Sequence, residues 1–219
     1  MKRFFKENGL SLVLFGLFLF SLAGQYFTGW NEHNDDQRLH GEPAVTLAEY
    51  LTSGHFIEAT FENWESEFLQ MAAYVLLTVF LYQKGSAESK EIDAIQRVDR
   101  TIKRSKRPKP WAVKRGGWIL KLYENSLSLA LLLLFLISFA LHAVGGVEEY
   151  NEEQKAHGAA QVSTLEYMTT SRFWFESFQN WQSEFLSVGA IVVLTIFLRQ
   201  KGSPESKPVD VENSETGSE

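Results

Sequence analysis

Uncharged apolar runs are what most constrain this chain. Leu10 to Phe27 holds about 18 residues without a charge, roughly what a helix needs to cross the hydrocarbon core of a bilayer. Ser126 to Val144 is a second run of that kind, with only His142 able to ionise. Phe68–Tyr82 and Phe185–Leu198 are shorter and marginal alone. Each is extended upstream by an apolar helical face, Phe56, Phe61 and Trp64 in one and Phe173, Phe178 and Trp181 in the other. The pattern predicts an all-α membrane protein of four transmembrane helices. The second and fourth would be long helices with amphipathic outer halves.

Lys2, Arg3 and Lys6 before the first run, and Ser21-Leu22-Ala23 within it, resemble a signal peptide. The run is longer than a usual signal core, and a matching run lies mid-chain, so it is read as a retained helix. The chain has no Cys, which excludes disulfides, thiolate metal sites and CxxC redox chemistry.

Charge placement predicts orientation. The stretch from Gln83 to Lys121 is the most basic, with Arg97, Arg100, Lys103, Arg104, Lys106, Arg107 and Lys109 close together. By the positive-inside rule this linker and both termini are cytoplasmic. The other two connections face outward and are acidic, with Glu32, Asp35, Asp36, Glu42, Glu49, Glu58, Glu62 and Glu65 in one and Glu148, Glu149, Glu152, Glu153, Glu166 and Glu176 in the other. Ile92, Ile95, Val98 and Ile102 predict a surface helix on anionic headgroups. Topology accounts for the linker's charge, so nucleic acid is not the expected partner.

An offset of 117 residues superposes Glu7–Lys90 on Glu124–Lys207 without a gap, with roughly 40 of 84 positions identical. The expected organisation is a two-helix repeat over 1–90, a basic linker over 91–117, a second repeat over 118–207 and a disordered acidic tail over 208–219. Both copies enter the membrane the same way, so they are parallel repeats. Asn63-Trp64-Glu65-Ser66-Glu67-Phe68-Leu69 recurs as Asn180-Trp181-Gln182-Ser183-Glu184-Phe185-Leu186. Gln83-Lys84-Gly85-Ser86-Ala87-Glu88-Ser89-Lys90 recurs as Gln200-Lys201-Gly202-Ser203-Pro204-Glu205-Ser206-Lys207.

This pair of motifs resembles an uncharacterised family of bacterial inner-membrane proteins, a domain of unknown function. The resemblance covers nearly the whole chain. It implies a multi-pass protein of the bacterial inner membrane and supplies no activity.

Several positions have a structural and a functional reading. Thr46 to Glu49 and Ser163 to Glu166 fit the S/T-x-x-E capping box and predict a short helix in each repeat. Gly85 and Gly202 fit helix stops, as do Gly41 and Gly158. Asn63, Ser66, Gln70 and Ala73 form a stripe of small and polar residues suited to helix packing in lipid, as do Asn180, Ser183, Ser187 and Ala190. Glu67 and Glu184, beside that stripe, face either interfacial water or the bundle interior, where they would be proton or cation sites.

Glu32, Asp36 and His40 are spaced i, i+4, i+8, as are Glu149, Glu153 and His157. On helices that continue past the membrane, Asp36, His40, Glu153 and His157 could together hold a divalent metal such as Zn²⁺ or Mn²⁺. Solvated acids and a His favoured by the helix dipole explain the same pattern. No GxSxG, HExxH or P-loop motif occurs, so no catalytic residue or organic cofactor is assigned. Three functions stay open: a non-enzymatic membrane module that binds a partner, itself or lipid; a cation-binding or small-solute permeation protein using its acidic outer face; and an outer-leaflet enzyme.

Overall fold

A computed structural model describes residues 2–92, 94–100 and 109–217. The described residues form helices and no strand. Helix α1 spans Lys2–His40, α2 Leu47–Tyr50, α3 Gly54–Phe80, α4 Trp111–Arg115, α5 Gly117–Glu124, α6 Ser126–Ala156, α7 Thr164–Tyr167 and α8 Ser171–Phe197. Among the described residues three helices, α1, α6 and α8, are long and apolar enough to cross a membrane. Helix α3 equals α8 in length at 27 residues, but its first half carries Glu58, Glu62, Glu65 and Glu67. At 39 residues α1 extends about 58 Å, roughly twice the hydrocarbon thickness, so it continues well beyond its apolar run. None of the apolar stretch of α1 is buried within the protein.

The chain folds into two compact units, and neither follows chain order. One comprises Met1–Phe61 with Ala140–Trp174, the other Glu62–Phe139 with Phe175–Glu219.

In the first unit, α1 and α6 end on glycines. Gly41 (φ 77°) and Gly158 (φ 68°) take the left-handed conformation that a Cβ would strain. Behind them Glu42 N donates to Gln37 O (2.8 Å) and Ala159 N to Gln154 O (2.8 Å), the six-to-one bonds that close a helix end. Both predicted capping boxes are present, at Thr46–Glu49 and Ser163–Glu166. Asn34 and Val45 exchange two hydrogen bonds (3.0 and 2.7 Å), and Asn151 and Val162, 117 positions on, do the same (2.9 and 2.8 Å). In this way each long helix pins the loop that leaves it.

Tyr50 and Tyr167 fill the interior, packed with Phe56 and Phe173 respectively. Burial and the carboxylates of Glu32 and Glu149 raise the Tyr50 phenol to about 12, so it stays protonated. The start of α3 crosses α6 at backbone contact: a Cβ on Gly54 would lie 2.8 Å from Gly145 O, and one on Gly145 2.5 Å from Glu58 N.

In the second unit, α3 and α8 meet through polar pairs. Trp181 Nε1 donates to Glu65 Oε1 (2.9 Å), and Asn180 Nδ2 donates to Glu62. The two Q-K-G-S-x-E-S-K motifs build one kind of loop. Ser86 N bonds Gln83 O (3.2 Å) around Gly85, and Ser89 Oγ turns back to accept Gln83 N (2.8 Å). Ser203 N–Gln200 O (3.1 Å) and Gln200 N–Ser206 Oγ (2.8 Å) repeat the arrangement.

Two expectations need correction. The helices end at Phe80 and Phe197, so Gly85 and Gly202 sit in turns beyond the helix ends and do not form the stops themselves. The linker forms a short 3-10 turn, Arg97–Asp99, where an amphipathic helix was expected; Ile102, Lys103, Arg104, Lys106 and Arg107 lie outside the described residues. The chain after Pro208 packs within the second unit. Lys207 Nζ donates to the carbonyls of Glu212, Asn213 and Glu215 (3.3, 3.1 and 2.9 Å), and Gly217 N to Ser86 O (2.9 Å). Burial, with the Arg199 guanidinium nearby, pulls the Lys207 ammonium's pKa down from its usual value.

Candidate functional site

The ends of α1 and α6 in the first unit enclose a cleft of about 480 Å³. Its walls carry three imidazoles, His33, His40 and His157, and the carboxylates of Asp36, Glu42, Glu149, Glu152 and Glu153. Lys155 is the one basic side chain lining it. The cleft forms because both helices outrun their apolar stretches and place residues of i, i+4 spacing on facing sides.

Asp36, His40, Glu153 and His157, the four residues singled out from the sequence, all line this cleft. Both histidines are oriented by their own helices. His40 Nδ1 lies 3.0 Å from Asp36 O, and His157 Nδ1 lies 2.8 Å from Glu153 O. A carbonyl only accepts, so in the neutral imidazole each Nδ1 carries the proton and each Nε2 keeps its lone pair for a ligand. Backbone bonds of this kind fix the tautomer of metal-binding histidines. Among the described residues, no three donor atoms of the cleft lie within 4.8 Å of one another. A bound ion would therefore draw the exposed side chains inward.

Glu149 Oε2 is buried and has no hydrogen-bond partner among the described residues. Arg172, at the start of α8, donates to the Glu153 carboxylate and sits over the Tyr150 ring, 5.8 Å from its centroid. Glu32 does not line the cleft; its carboxylate pairs with His55 Nε2 (3.2 Å), and His55 Nδ1 meets Tyr50 OH (2.9 Å).

The recurring motif has a different placement. Asn63 and Glu67 are exposed, Ser66 is buried and Trp64 is half-buried. In the second copy Ser183 is exposed, and Asn180, Trp181 and Glu184 are half-buried. The fully buried carboxylate of this motif is Glu65, not Glu67. The sequence places Glu65 among the outward acids, and its counterpart Gln182 removes it from any comparison of charges between the copies.

A buried polar group was also missed. Glu58 and His142 bring ligand atoms within 4.8 Å of each other, Tyr167 OH donates to Glu58 (3.3 Å), and His142 stacks on Phe173 with centroids 4.8 Å apart. No signal in the sequence marks the group, since the counterparts of Glu58 and His142 are Phe175 and Gln25.

These features define a class: an all-helical chain with helices fit to cross a membrane and a carboxylate–imidazole cleft at the ends of two of them. The family model for Domain of unknown function (DUF6766) matches residues 1–218, and the chain belongs to that family. No curated protein and no solved structure matches it.

Proposed function

We propose that this chain is a non-enzymatic membrane module of the bacterial inner membrane that binds a divalent cation at its outer face. In this reading α3 is the fourth transmembrane helix, the two halves are tandem parallel copies of a two-helix unit, and both termini are cytoplasmic. The bare apolar stretch of α1 is covered by lipid, a protein partner or a second copy. The matched Asn34–Val45 and Asn151–Val162 bonds support two equivalent units.

The single observation that carries the cation reading is the cleft that gathers Asp36, His40, Glu153 and His157. Imidazole with carboxylate is the donor set of Zn²⁺ and Mn²⁺, and the bonded Nδ1 atoms leave both Nε2 atoms available. Protein donors that must move inward suit an ion that keeps part of its water shell on entry.

Calorimetry of the purified protein in mild detergent tests this. Zn²⁺ or Mn²⁺ should bind the wild type, and the heat should be lost in the His40→Ala/His157→Ala double variant. Equal binding by both proteins places any metal site elsewhere and removes the proposal.

A further inference from the structure

The two sides of the first unit differ at one pair of equivalent positions. Position 55 in the first copy is His, and position 172 in the second, 117 residues on, is Arg. His55 pairs with Glu32, which lies outside the cleft. Arg172 donates to Glu153, which is one of its walls. The neighbouring positions differ as well: His33 in the first copy corresponds to Tyr150 in the second, and the Arg172 guanidinium sits over that ring. One wall of the cleft therefore presents imidazole and carboxylate without a fixed cation, while the other is engaged by one.

We infer that Arg172 is a built-in competitor for the cleft, a tethered cation that an incoming cation must displace from Glu153. The inference rests on the cation-binding reading of this cleft. An arginine guanidinium is charged at every physiological pH, so the competition is permanent. Arg172 is only partly exposed (33%) and its partner half-exposed (50%), so the pair is weak enough to open. The Tyr150 ring already lies under the guanidinium and keeps its contact when Glu153 is given up. Arg172 thereby sets the affinity of the cleft, and it selects for divalent over monovalent cations, since a single charge gains little by exchanging with another.

The test is calorimetric titration of Zn²⁺, and separately Mn²⁺, into wild type, Arg172→Gln and Arg172→Lys at constant pH and salt. Arg172→Gln should bind about five-fold tighter, the equivalent of about 1 kcal/mol for a partly exposed pair. Arg172→Lys keeps a cation and should stay near wild type. A purely structural role for Arg172 predicts the opposite sign, because loosening the site weakens binding. Glu153→Gln and Asp36→Asn, each made in the wild-type background, give a second measurement that does not depend on Arg172→Gln folding. Glu153 is already engaged, so its loss should weaken binding less than the loss of Asp36. Unchanged or weaker binding by Arg172→Gln, or equal losses in the two carboxylate variants, overturns the competitor while leaving the cleft reading intact. No binding by wild type and none by Arg172→Gln overturns both. Binding that emerges only in Arg172→Gln supports the competitor and overturns the reading that the wild-type cleft takes up the ion.

Discussion

Gly29 and Gly146 each leave room for one tyrosine hydroxyl. A Cβ at Gly29 would lie 2.3 Å from Tyr50 OH, and a Cβ at Gly146 would lie 2.5 Å from Tyr167 OH. Both rings are buried, so neither can swing away without disturbing Phe56 or Phe173. Gly29→Ala and Gly146→Ala should each lower stability by about 1–3 kcal/mol, the usual cost of overpacking. Gly16→Ala, with nothing within 4 Å, should be neutral or slightly stabilising because alanine favours helix. Thermal unfolding in detergent ranks the three variants, and a Gly146→Ala protein as stable as Gly16→Ala would contradict this packing. The glutamates carry a different lesson at the same scale. Glu65 and Glu67 are two residues apart, which on a helix is more than half a turn, so one is buried and the other exposed.

Among the elements, the short helices α2 and α7 depend on their caps. Each has four residues, too few for propensity to sustain, and each begins with a reciprocal capping box. Glu49 accepts Thr46 N at 2.7 Å, and Glu166 accepts Ser163 N at 2.7 Å. Those backbone bonds, helped by the cap hydroxyls, hold both carboxyls below the usual glutamate range. A lowered folded-state pKa contributes stability that is present above the unfolded value of about 4.3 and is lost as pH falls through the folded value. Acidification below about pH 4 should therefore loosen these two turns. Amide exchange at Glu49 and Glu166 should rise there relative to the underlying base rate, and Glu49→Gln should abolish the pH response at its own turn. An acid response retained by Glu49→Gln would assign it to another carboxylate. The loops after α3 and α8 are held more simply, by Ser89 and Ser206 hydroxyls that do not titrate.

At the level of the whole molecule, the first and second halves of the chain do not form separate compact units. Each compact unit takes segments from both, and α3, α6 and α8 each contribute to both units. The Gly54–Gly145 crossing joins the second long helix of one half to the first long helix of the other. Orientation in the membrane is a matter of charge, and the basic linker should hold one side inside. Single cysteines at Ser53 and at Ser105, a position outside the described residues, test this in a chain with no native cysteine. An impermeant thiol reagent on whole cells should label Ser53→Cys and spare Ser105→Cys. The reverse pattern would invert the orientation and place the cleft in the cytoplasm.

Local chemistry was legible in the sequence because it depends on neighbours in the chain. Apolar run length marked α1 and α6, S/T-x-x-E marked the caps of α2 and α7, and Gly41 and Gly158 marked the ends of the long helices. The spacing of Asp36, His40, Glu153 and His157 also singled out four residues that line one cleft, since an i, i+4 period keeps its register wherever the helix continues. What joins distant segments was decided by tertiary structure. The close approach of α3 to α6 depends on two glycines whose counterparts, Ser171 and Thr28, are not glycine, so comparing the halves hides it. The burial of Glu65 against Trp181, the Glu58–His142 group and the hold of Lys207 on the tail are likewise long-range or loop-borne. Periodicity reports which face of a helix is apolar, and it carries no information on which other helix that face will meet.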